Sequence, residues 1–226
     1  CGSFLKTPPP DFKPPVTVTA NPSNAPSRRE FSAREMMGSL SFYLVWTSFL
    51  IGSSVGLMVI SQVSPIGQEM AGLSPLVAGG AVTVLALFNG LGRPSFGAIS
   101  DRIGRKGAVI LAFAIQIIAL MFVLPRSTSF ATYAAGVSLI GFSYGGFLAV
   151  MPTITADYYG TKNLGVNYAW VYSAWGAAGV LGPVIGIQIR TATGAWLNAF
   201  SILAAACFVG IAITYFFKPP REIPAA

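Results

Sequence analysis

Arg93 lies in a helix-length apolar stretch, immediately ahead of the charged run Asp101-Arg102-Ile103-Gly104-Arg105-Lys106. A cation in hydrocarbon costs about 2.5–3.5 kcal/mol on insertion scales, so it normally faces a partner, a cavity or a permeating ion. A guanidinium stays charged and can hold a carboxylate through two parallel hydrogen bonds. Asn89 sits one turn earlier on the same helical face, where it can contact a ligand or a neighbouring helix but cannot titrate. Pro94 removes a backbone bond and frees a carbonyl one turn back, which can kink the helix at this point. The competing reading is snorkelling, because Ser100 follows seven positions later, roughly 10 Å of helix rise. Gly90, Gly92 and Gly97 favour a face pressed against other helices instead.

Other chemistries fail on composition. Gly141-Phe142-Ser143-Tyr144-Gly145 spells the nucleophile elbow of serine hydrolases, but the chain has no His and the string lies in the middle of an apolar segment, so an enzyme is not expected. Two cysteines, Cys1 and Cys207, and no His leave no usual set of metal ligands. Cys1 is terminal and Cys207 lies in the last apolar segment, so no disulfide joins them in this reading. No metal or cofactor is expected.

The elements that must position these residues follow from hydropathy. The chain is 54% hydrophobic and only 9% charged, against about 25% charged in an average soluble domain. Six segments free of Asp, Glu, Lys and Arg, residues 40–68, 70–92, 107–125, 127–156, 163–189 and 191–217, can each hold the roughly 20 residues that cross about 30 Å of hydrocarbon. With both chain ends in the cytoplasm, Lys6, Lys13, Arg28, Arg29, Arg34, Arg102, Arg105, Lys106, Lys162, Lys218 and Arg221 all fall inside and only Arg126 and Arg190 outside, in accord with the positive-inside rule. The net charge of +7 is therefore a product of topology. It is spread over short loops rather than gathered on one element, which argues against nucleic-acid binding. Glycines in or beside the spans, among them Gly52, Gly56, Gly141, Gly145, Gly146, Gly182 and Gly186, let helix backbones approach in lipid.

Ahead of the first span, residues 7–30 are rich in Pro, Thr, Ser and Asn, the composition of a flexible linker. Phe4-Leu5-Lys6-Thr7-Pro8-Pro9 echoes Phe216-Phe217-Lys218-Pro219-Pro220; the expectation is that residue 1 follows an earlier helix corresponding to the last helix here, the alternatives being coincidence in a short string and a lipoprotein beginning at a modified Cys1. Ser32, followed three residues on by Glu35, has capping-box spacing and predicts a short interfacial helix. The organisation expected is a cytoplasmic linker at 1–38, a transmembrane bundle at 39–218 and a cytoplasmic tail at 219–226.

The string Gly97-Ala98-Ile99-Ser100-Asp101-Arg102-Ile103-Gly104-Arg105-Lys106 resembles the cytoplasmic loop signature of the major facilitator superfamily, which follows the second helix of each six-helix half. In isolation such a loop could simply anchor topology. The resemblance implies an all-α membrane protein, with six transmembrane helices forming one half, helices seven to twelve, of that fold. It also implies a conformational latch built from Gly97, Asp101, Arg102, Gly104, Arg105 and Lys106, with Asp101 meeting the positive end of the fifth helix.

Further strings, Phe88-Asn89-Gly90-Leu91-Gly92-Arg93-Pro94, Gly141-Phe142-Ser143-Tyr144-Gly145-Gly146 and Asp157 to Tyr168, resemble the oxalate:formate antiporter family and its monocarboxylate-transporter relatives. That resemblance implies a substrate-binding role for Arg93, with Asn89 beside it, and for Tyr144, whose phenol can donate to a carboxylate. At Trp175 the chain departs from oxalate:formate antiporters, which have a Lys there. One buried cation neutralises one negative charge, and a second unpaired charge costs several kcal/mol. A monocarboxylate such as lactate, pyruvate or formate is therefore expected, with Trp175 as an apolar wall. The expected setting is a bacterial inner membrane, with lipid around the bundle and an N-terminal six-helix half as partner. The alternatives are a non-transporting scaffold or regulatory subunit, oxalate:formate exchange, and a sugar or drug carrier of the same superfamily.

Overall fold

The computed structural model describes residues 30–220. Most of the linker, including the Phe4–Pro9 echo, and the tail from residue 221 lie outside the described residues. The elements are α1 (Ala33–Met37), α2 (Leu40–Ala71), α3 (Pro75–Ile118), α4 (Phe130–Tyr159), α5 (Leu164–Thr193) and α6 (Trp196–Tyr215), with a π turn at Ala119–Val123 and a tight 3₁₀ turn at Leu124–Arg126 between α3 and α4. Ser32 and Glu35 form the reciprocal cap expected of α1. Serine also opens the long helices that follow: Ser39 caps α2, Ser74 caps α3 ahead of Pro75, and Ser129 caps α4.

Among the described residues five continuous helices are long and apolar enough to cross a membrane, one fewer than the predicted segments, because the second and third are joined in α3. The charged loop expected between them is helical throughout except at Gly104, whose φ of 79° and ψ of 161° break the helix. Its packing shows that the chain doubles back there. Phe96 packs on Gly146, while the Phe113 ring lies 4.8 Å from that of Phe147. In a straight helix the 17 residues from Phe96 to Phe113 would span about 25 Å, yet both meet adjacent residues of α4. Gly104 stands midway between them, where its positive φ permits a reversal that a side chain would strain. The six apolar segments thus remain distinct, with the expected loop reduced to a single-residue turn at Gly104.

The first limb of α3 (75–103) packs along α4, and α2 packs along α5. Both contacts are backbone-close. A methyl group at Gly92 would land on the Phe142 carbonyl, at Gly141 on that of Leu85, at Gly145 on that of Asn89, and at Gly182 on that of Ser54. Helices gain little hydrophobic association in lipid, so this proximity supplies the dispersion that holds them. The buried Gln116 donates 2.9 Å to the Gly52 carbonyl and accepts from the Cys207 thiol at 3.5 Å, tying the second limb of α3 (105–118) to α2 and α6. Outward faces carry exposed Leu76, Val180, Phe208 and Val209, the surface of a bundle immersed in lipid.

Candidate functional site

The α3–α4 contact fixes the backbone of Asn89 and Arg93 against Gly145, one residue from Tyr144. The expected site residues therefore come together across three helices. Arg93 Nη2 donates 3.4 Å to Asn89 Oδ1. Its side chain is exposed. Among the described residues no carboxylate pairs with it. Eleven residues separate Arg93 from the Gly104 turn, about 16 Å of helix.

Tyr144 is nearly buried, at 5% exposed, with its ring seated on Gly56 of α2. Trp175 Nε1 donates 2.5 Å to the Tyr144 hydroxyl. An indole N–H can only donate, so this bond occupies a lone pair of the phenol oxygen and leaves the Tyr144 proton available to another acceptor. Trp175 is accordingly more than the apolar wall expected of it, because it orients the tyrosine. The sequence reading missed Tyr172, whose ring stacks on Trp175 at 5.1 Å and 15° and lies 5.5 Å from Tyr168. Tyr168, Tyr172 and Trp175 recur at i, i+4 and i+7 on α5, an aromatic stripe readable from periodicity alone.

The loop signature is organised differently. Arg105 Nη1 donates to Asp101 at 2.6 Å and to the Ser100 hydroxyl at 2.7 Å, while its Nε donates 3.0 Å to Asp157 at the end of α4. The resemblance implied that Asp101 meets the positive end of the fifth helix; its hydrogen bond here is to Arg105, and Arg105 in turn latches the turn to α4 through Asp157. The reason is local: Asp101 closes the first limb of α3 and Arg105 opens the second, so their pair bridges the Gly104 turn. Lys106 reaches the Tyr215 carbonyl at 3.5 Å, a cation at the carbonyl end of α6. Arg102 is exposed. Gly97 has open space at its Cα.

A model of the Major Facilitator Superfamily matches residues 35–226. The chain belongs to that superfamily. It is 30% identical over 197 residues to the oxalate:formate antiporter of Oxalobacter formigenes, covering 87% of this chain and 47% of that protein. An uncharacterised transporter of the superfamily from Escherichia coli is 27% identical over 158 residues, 70% of this chain and 39% of the relative. The mouse monocarboxylate transporter 14 is 29% identical over 130 residues, 57% of this chain and 25% of the relative. The chain thus spans about half the length, or less, of these relatives. They are transporters rather than enzymes, and the apolar helices make this a multi-pass membrane protein.

Proposed function

We propose that the chain forms six helices of a secondary transporter that moves a small monocarboxylate, of the lactate, pyruvate or formate kind, by alternating access. The observation that carries this reading is a guanidinium without a carboxylate partner among the described residues, hydrogen-bonded to Asn89 on a backbone packed against Gly145, the neighbour of the Trp175-bound Tyr144. In a low-dielectric setting such a cation draws an anion far more strongly than it would in water. A bound carboxylate takes two donors from Arg93 and the free proton of Tyr144, while Trp175 and Tyr172 close one side of the pocket. The exposed face of the bundle meets a second set of six helices, so that the substrate sits between the halves near mid-membrane. Both chain ends lie in the cytoplasm and the membrane is a bacterial inner membrane.

The likeness to an oxalate:formate antiporter supports a second reading, oxalate exchange. Arg93 is the one cation among the described residues of this site, and a dicarboxylate would leave one charge without a partner here. Uptake of labelled lactate, pyruvate, formate and oxalate into proteoliposomes holding the complete transporter separates the two. Transport of the monocarboxylates, abolished by Arg93→Gln while membrane insertion persists, is the expected result. Uptake of none of these acids, or normal uptake by Arg93→Gln, would refute the proposal.

A further inference from the structure

A second cation stands at the opposite end of the bundle from the Gly104 turn. Arg190, in the last turn of α5, donates from Nε and Nη2 to Glu69 Oε2 at 3.1 and 2.8 Å. Its Nη1 has no hydrogen-bond partner among the described residues. The other oxygen of Glu69 accepts the Trp196 backbone N–H at 3.4 Å, at the start of α6. Beside this pair is a cavity of about 600 Å³ lined by Gln62, Gln68, Glu69, Arg190, Thr191 and Trp196. The indole N–H of Trp196 is buried without a partner. The cavity lies where α2 departs from helical geometry at Gln62 (φ −118°, ψ 15°) ahead of Pro65, a bend of the kind caused by the missing proline N–H.

This cavity is distinct from the Arg93 site but flanked by the same two helices. On α2, Glu69 lies 13 residues beyond Gly56, which seats Tyr144, or about 20 Å. On α5, Arg190 lies 15 residues beyond Trp175, or about 22 Å. The two helices agree on the separation.

Resting on the reading that small carboxylates are the cargo, we propose that Arg190 is an outer anion-binding station, which receives the incoming carboxylate in exchange for Glu69. Three features suit it to exchange rather than to permanent pairing. The pair is solvent-accessible, at 44% exposed for Arg190 and 30% for Glu69, so an aqueous anion can compete for it. Glu69 already has a second partner at the N-terminus of α6, where the amide and the helix dipole keep its charge compensated once Arg190 lets go. The cavity is also lined by the amides of Gln62 and Gln68, each of which keeps one N–H beyond its bond to Ser61 or Ser64.

The test is the sign of two substitutions in the complete transporter, reconstituted in known orientation and supplied with lactate, pyruvate or formate from the Arg190 side. Arg190→Gln is expected to raise KM about fivefold with kcat little changed, and Glu69→Gln to lower KM by a similar factor by freeing Arg190. In Glu69→Gln the side-chain carbonyl can still accept the Trp196 N–H, and Arg190→Lys retains the charge and shifts KM least. A clasp that only holds α2 against α5 predicts that both neutral variants shift KM the same way, or not at all, and either result overturns the station. If Arg190→Gln fails to insert, the Glu69→Gln sign decides alone. If the unaltered protein moves none of the three acids, the cargo reading has failed and the station falls with it. Transport with the wrong signs removes the station only.

Discussion

Two arginines of this bundle, Arg93 and Arg105, sit twelve residues apart on opposite sides of one glycine-rich segment and have opposite surroundings. Arg105 is held by Asp101, Asp157 and Ser100, so its charge is spent on the protein itself. Among the described residues Arg93 has a single long contact, with a neutral amide, and no counter-charge. Charge type alone does not distinguish a latch from a binding site; the presence of an internal counter-charge does. A cation that the protein has already neutralised has little left for a ligand, whereas one kept among neutral donors is completed only when an anion arrives.

The largest effect expected from this contrast is at Arg93. Replacement by Gln should lower transport kcat/KM by about 100-fold or more, because two charge-assisted hydrogen bonds are lost. Arg93→Lys should also be severe, since an ammonium cannot present the two-pronged donor. Both variants should insert normally, and initial-rate uptake with a surface-expression control checks this. The contrast breaks if Arg105→Gln costs transport more than Arg93→Gln does.

Next in size are the glycines that hold the site together. Gly145→Val forces a side chain into the Asn89 carbonyl, and overpacking of this kind costs about 1–3 kcal/mol. It should lower the thermal stability of the detergent-solubilised protein and impair transport at the same time. Gly97→Ala meets open space within this half, so any loss in the complete transporter would report contact with the other six helices.

Much of this arrangement was legible in the sequence because the membrane imposes simple arithmetic. The six segments, the serine cap of α1 and the reversal near Gly104 all follow from hydropathy, capping spacing and loop charge. The exact form of that reversal was not legible: a charged stretch between apolar runs looks like a loop, but here it stays helical because backbone groups at the membrane boundary are best satisfied within the helix. At the site, Arg93, Asn89, Tyr144 and Trp175 could be picked out by residue type and resemblance. The direction of the Trp175–Tyr144 hydrogen bond could not, since it depends on how Gly56 seats the ring. The role of Asp101 at the fifth helix came from resemblance alone; its hydrogen bond to Arg105 across the Gly104 turn was not legible, because it depends on the form of that turn.

Tyr144→Phe sharpens the comparison at an intermediate size. Loss of one hydroxyl donor to a carboxylate, together with a stranded Trp175 N–H, should raise KM about five- to tenfold. Trp175→Phe should act more weakly, because it frees the tyrosine rather than removing it. If substrate affinity, measured by thermal stabilisation with lactate or pyruvate, ranks the two the other way, Trp175 contacts the ligand directly and Tyr144 is its support.

The smallest effects belong to the Arg105 latch, where geometry ranks the two acids. Asp157 and Arg105 are 29% and 27% exposed, whereas Asp101 is 70% exposed. Water screens the outer pair more than the inner one, and exposed pairs contribute about 0–1 kcal/mol. Asp157→Asn should therefore lower thermal stability more than Asp101→Asn, and both deficits should shrink in about 1 M salt, where the screening length falls to roughly 3 Å. Asp157 also joins distant parts of the chain, α4 and the Gly104 turn, while Asp101 only bridges that turn. The inner variant should thus alter the balance between access states as well as the melting point, measurable as a change in cysteine accessibility at engineered positions along the exposed face of α5. Equal stability losses that do not respond to salt would mean that Arg105 acts through packing of its side-chain stem, and that the two arginines differ by burial rather than by counter-charge.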